Sequence, residues 1–274
     1  MLRFTLILLW LLIAAKAMKS IPFFISKQPP NRQKHLDVLQ TLFPFLVYLL
    51  TGLLSSSFTV LFDLPSFSPR LKPWLETLCM ATTTLSLFIY LYFQDYEHLQ
   101  TLFFPVETAN KCFVFFKNFF KGACCWLISY PFVLLVAALL EATREFIYGS
   151  SLEEQLAVSH LKNSLSNPFL FTTTIFFLVL AIPFAEEVLF RGYLQNWLGR
   201  LFSKKLTILI TSLIFAAFHL SDSQGIKNID IFCSLFTFSC FLSYFYEQKG
   251  SLSISLGLHS AFNATTIIFI YFSQ

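Results

Sequence analysis

The strongest constraint on this chain is a series of apolar runs too long to be core helices of a water-soluble domain. They fall at about 2 to 18, 38 to 62, 74 to 93, 123 to 140, 168 to 190, 206 to 220, 229 to 246 and 251 to 272. A run of about 18 apolar residues crosses a bilayer as a helix, because each backbone polar group is then satisfied within its own segment. The expectation is an all-α fold, a polytopic transmembrane helical bundle of about eight spans. Composition agrees: 56% of the residues are hydrophobic, 12% are charged and 36 are phenylalanine, whereas soluble domains carry roughly a quarter charged residues.

The first run has two readings. Arg3, a leucine-rich stretch and Ala15-Lys16-Ala17 also imitate a secretory leader. Orientation favours a retained span. With the amino terminus outside, the cytoplasmic loops hold 13 of the 19 basic residues, as positive-inside sorting requires. Both termini are then outside, in a multi-pass protein of the plasma or inner membrane if the source is bacterial. A cleaved leader would instead leave five early positive charges on the outer side.

The net charge of +4 is spread between apolar segments rather than gathered into a stripe with exposed aromatics, so no nucleic-acid partner is expected. The lipid bilayer is the expected partner. The six cysteines lie mainly in apolar segments without a CxxC pair, and read as small buried hydrophobes. Residues 110 to 121 (NKCFVFFKNFFK) are amphipathic and basic, either an interfacial helix or a short connector. Residues 141 to 167 form the most soluble-looking loop. His35, His98 and His160 fall in loops and receive no role, and Asn263-Ala264-Thr265 lies too deep in an apolar run to be a glycosylation acceptor. The chain divides into residues 1–167, N-terminal transmembrane helices with their loops, and residues 168–274, the part that carries the chemistry.

In the fifth run stands Pro183-Phe184-Ala185-Glu186-Glu187-Val188-Leu189-Phe190-Arg191. A charged side chain at the centre of a spanning helix costs about 2.5–3.5 kcal/mol on insertion scales, so two adjacent carboxylates imply a purpose or a helix end. Glu187 and Arg191, at i and i+4, share a face and pair, while Glu186 points about 100° away. Glu186 is thus free to enter a different cavity as a general base. Pro183 removes a backbone hydrogen bond one turn earlier and kinks the helix. The sixth run ends in Phe215-Ala216-Ala217-Phe218-His219, where His219 taken alone reads as an interior histidine. The eighth contains His259 and Asn263 at i and i+4, either a functional pair or interhelical glue. The depths of these groups agree only if the fifth helix continues to about Leu201. Glu186, His219 and His259 then lie about 22, 20 and 13 Å from the cytoplasmic end.

Glu186-Glu187-x-x-x-Arg191, Phe215-x-x-x-His219 and His259-x-x-x-Asn263, in this order on successive apolar segments, resemble the motifs of the CAAX prenyl protease and bacteriocin-processing (CPBP, Abi) intramembrane proteases. Tyr246-Glu247-Gln248-Lys249-Gly250-Ser251-Leu252 is similar to that family's approach to its last motif. The resemblance covers about residues 168 to 272. It implies an endopeptidase acting on a peptide or membrane-anchored protein, in which Glu186 and His219 activate water, His259 and Asn263 stabilise the oxyanion, and Glu187 and Arg191 support the geometry. It assigns no certain cofactor. If zinc takes part, Glu186, His219 and His259 are its ligands, with a position open to water; no HExxH spacing is present. Competing readings are a transporter or ion-binding protein with these groups lining a path, and an inactive scaffold or immunity protein.

Overall fold

The computed structural model describes residues 9–14, 16, 37–61, 71–104, 110–149, 156–165, 167–221 and 224–272, and all regular structure among them is helical. The helices are α1 (Val38–Leu61), α2 (Lys72–Tyr92), α3 (Tyr96–Phe103), α4 (Lys111–Tyr148) and α5 (Leu156–Ser164). The continuous helix α6 (Pro168–Leu201) follows, then α7 (Lys204–Ala217), α8 (Lys227–Lys249) and α9 (Leu252–Phe272). The starts follow from local chemistry. Asp37 and Gln40 exchange side chain to backbone bonds of 2.7 and 3.3 Å in a capping box before α1. Asn110 caps α4, and Asn167 accepts from Phe169 and Leu170 ahead of Pro168, which needs no N–H partner at the first turn. Gly250 ends α8 at φ 64°, a left-handed conformation that glycine adopts without a Cβ clash.

Six of these helices, α1, α2, α4, α6, α8 and α9, are long and apolar enough to cross a membrane. The protein is thus a multi-pass helical membrane protein, with six such helices among the described residues against the eight runs read from the sequence. Most of the first run lies outside the described residues. Of its described part, Trp10 donates to the Leu127 carbonyl at 2.9 Å and packs edge-on to Trp126 and tilted against Tyr130 of α4. The sixth run is a correction. Its helix, α7, has 14 residues and so reaches about 21 Å, short of a hydrocarbon core of about 30 Å. The helix stops at Ala217, which leaves His219 just past its end.

The stretch from Asn110 to Lys121 is neither a separate interfacial helix nor a connector. It is the first third of α4, whose 38 residues form one helix. Leu39, Leu54, Phe93 and Phe120 are all at least 70% exposed, the surface of a protein whose outer solvent is lipid rather than water.

Two packing features position the site. Helices α4 and α9 approach so closely that a Cβ on Gly122 would lie 1.9 Å from the Ile254 carbonyl oxygen, and one on Gly257 would lie 1.9 Å from that of Phe119. Glycine at both positions is what lets the two backbones touch. An aromatic-rich cluster of Phe45, Phe190, Tyr193, Phe215 and Tyr246 then ties α1, α6, α7 and α8 together.

Candidate active site

Pro183 disturbs α6 as its chemistry requires, and the disturbance takes the form of π-helical turns at Phe177–Ala181 and Val188–Gln195 on either side of it. The helix continues through them to Leu201, as the depth argument demanded. In the first of these turns the Ile182 N–H bonds the Phe177 carbonyl, five residues back. The same register would give the Leu178 carbonyl to the N–H of residue 183, which proline lacks. The Asn263 amide of α9 donates to that carbonyl at 2.8 Å. Asn263 therefore repairs the break that Pro183 makes, a task that spacing alone did not suggest.

The α-helical stretch between the two turns, Ile182–Glu187, carries the carboxylates. Glu187 is 1% exposed and its Oε1 accepts from Arg191 Nη1 at 3.1 Å, the i, i+4 pair expected from helical phase. Arg191, fully buried, also donates to the Ser239 hydroxyl at 2.7 Å and stands 4.8 Å over the Phe215 ring. The same Glu187 Oε1 lies 2.9 Å from His259 Nδ1. That contact holds the ring in place and aims its other nitrogen at Glu186.

Glu186 points elsewhere, between two imidazoles. Its Oε1 lies 3.5 Å from His219 Nε2 and its Oε2 lies 3.6 Å from His259 Nε2. His219 Nδ1 donates to the Phe215 carbonyl at 2.8 Å, so this ring too presents Nε2 to the carboxylate. Phe215 and Phe238 wall the pair, with ring centroids 4.7 Å from His219 and 5.1 Å from His259, respectively. Exposure falls from 27% at the His219 side chain to 13% at Glu186 and 5% at His259. The pocket therefore opens on the His219 side and is closed off at His259.

The structure thus brings Glu186, His219 and His259 to one point, with Glu187 and Arg191 directly behind His259 and Asn263 one turn further along α9. Among the described residues no set of three or more His, Cys, Asp or Glu side chains is arranged to hold a metal ion. The zinc alternative with Glu186, His219 and His259 as ligands gains nothing from this geometry. An apolar cavity of about 650 Å³, lined by Phe88, Phe119, Phe177, Leu180 and Phe184 among others, lies on a different face of α6. Phe184 and Glu186 are two residues apart, about 200° around the helix, so this cavity is not part of the polar pocket.

His160, placed in a loop by its sequence surroundings, is instead 4% exposed on α5. It pairs with Glu76 through Nδ1, and its Nε2 lies 3.3 Å from the Thr77 hydroxyl. His35 lies outside the described residues. His98 falls within α3.

A multi-pass helical bundle with a buried Glu–His cluster between three of its helices defines the class. Residues 168–265 match the family model described as Type II CAAX prenyl endopeptidase Rce1-like, and that segment contains all six polar site residues. Two proteins of Bacillus subtilis (strain 168) are similar over shorter stretches. "Uncharacterized protein YpbD" is 36% identical over 90 residues, covering 33% of this chain and 42% of that protein. "Uncharacterized protein YyaK" is 34% identical over 89 residues, covering 31% of this chain and 29% of that protein. The aligned part is therefore less than half the length of either relative. No solved structure matches the chain.

Proposed function

We propose that this protein is an intramembrane endopeptidase that hydrolyses a peptide bond of a membrane-associated or prenylated-type substrate. The observation that carries this reading is the position of Glu186, a carboxylate within 3.6 Å of two imidazole nitrogens in a pocket open on one side only. The match of residues 168–265 to the endopeptidase family model supports it.

In this mechanism a water molecule in the pocket gives a proton to Glu186, assisted by His219. Its oxygen bonds to the scissile carbonyl carbon, and the carbonyl electrons move onto the oxygen. His259, held by Glu187, and the Asn263 amide, which has a second N–H beyond the one on Leu178, stabilise that oxyanion. When the carbon–nitrogen bond breaks, the proton returns from Glu186 to the leaving amine. Glu187 and Arg191 touch no reacting atom; they position His259.

The test is cleavage of quenched fluorogenic peptides, with and without an S-farnesyl cysteine, by the purified full-length protein in detergent. Glu186→Ala and His219→Ala are expected to abolish cleavage while leaving size-exclusion behaviour and helicity unchanged. Cleavage at the wild-type rate by both variants would defeat the assignment.

A further inference from the structure

One feature of the bundle is unused by this mechanism: a polar seam between α6, α7 and α8 that begins at the site and runs to the basic end of the helices. Arg191 donates to Ser239, and one turn on, Gln195 Nε2 donates to the Ser243 carbonyl at 3.0 Å and to Glu247 at 3.2 Å. Helix α7 runs back along α6 and contributes Thr211 and Thr207, one and two turns from Phe215 on the same face. Gln195, Ser243, Thr211 and Thr207 are all 0% exposed.

These side chains do not satisfy one another. Arg191 Nε, Gln195 Oε1, Ser243 Oγ, Thr211 Oγ1 and Thr207 Oγ1 have no hydrogen-bond partner, and neither does Glu187 Oε2 at the site end. Membrane-helix threonines ordinarily return their hydroxyl to the carbonyl four residues back. Thr51, Thr83, Thr84 and Thr237 do so here at 2.7–2.8 Å. Thr207 and Thr211 do not, so their hydroxyls are left for something else. A line of buried unpaired donors and acceptors on three helices is the setting in which internal water is held, each molecule taking two to four such partners. Thr207 lies one turn from the exposed Ser203 and Lys204, so the line reaches the surface.

We propose that this seam holds a file of water running from the Lys204 end of α7 to Glu187, and that it replenishes the water consumed at Glu186. The occupancy stands on the geometry alone, whereas the supply role rests on the hydrolytic reading above. The test uses full-length protein with Thr211→Cys or Ser243→Cys, both near-isosteric, exposed to X-ray-generated hydroxyl radicals and read by mass spectrometry. Radicals form from water, so each cysteine is expected to oxidise at least tenfold faster than native Cys125, which is buried among apolar Val133, Leu242 and Leu258. Oxidation no faster than that of Cys125 overturns the water file. In the peptide assay, Thr211→Val is expected to lower kcat about fivefold at unchanged KM, and Thr211→Ser to retain turnover. A Thr211→Val chain as fast as wild type overturns the supply role. A wild-type chain that cleaves none of the peptides overturns the hydrolytic reading, and the labelling then decides the file by itself.

Discussion

Glu187 is the residue on which the site's geometry turns, because a single oxygen accepts from Arg191 and from His259. Truncating Arg191 would leave that carboxylate buried without its cation, a change worth about 3–5 kcal/mol in buried pairs. Arg191→Met is therefore expected to lower the thermal midpoint in detergent sharply; an unchanged midpoint would mean that the pair is not buried as described. The pairing of Glu187 with Arg191 was legible from i, i+4 spacing, and so was the divergence of Glu186. The contact with His259 was not, because 72 residues separate the two and only the packing of α9 on α6 brings them together. The seam had a signal that went unread. Arg191 and Gln195 on one helix, and Ser239, Ser243 and Glu247 on another, repeat every fourth residue along otherwise apolar segments.

At the scale of elements, the Pro183 disturbance and its repair make a linked pair. Asn263→Leu is expected to cost about 1–3 kcal/mol by stranding the Leu178 carbonyl. Pro183→Ala restores an N–H, so the double variant should recover part of that loss, as the coupling energy of a double-mutant cycle in thermal melts. Strict additivity would contradict the repair. The α4–α9 crossing makes a second prediction. Gly257→Ala drives a methyl into the Phe119 carbonyl, and overpacking of this kind costs about 1–3 kcal/mol. Since Gly257 lies two residues from His259, peptide cleavage should fall more than stability does, measured as kcat against melting temperature; equal, small effects would show that the crossing does not set His259. The helical class and the six long spans were legible because hydropathy is a local property. The end of α7 at Ala217 and the continuation of α6 through π turns were not, since both depend on how neighbouring helices absorb irregular backbone.

For the whole molecule, the half outside the family match is not peripheral. Helix α4 from that half meets α9 backbone to backbone at Gly122 and Gly257, and α1 contributes Phe45 to the aromatic cluster beside Phe190 and Phe218. The site is assembled by helices from both halves, although every chemical group in it comes from residues 168–265. The site depends on convergence: side chains at 186, 219 and 259, from separate segments, meet within the bundle. The most direct measurement places cysteine pairs, Glu186→Cys with His219→Cys or with His259→Cys, in a chain whose six native cysteines are changed to serine. The pairs are then bridged in native membranes by a short bis-thiosulfonate reagent. Both linked peptides are expected by mass spectrometry, at yields well above a control pairing Glu186→Cys with a cysteine at the lipid-facing Phe269. Bridging no better than that control would place the carboxylate and the imidazoles apart and contradict the account.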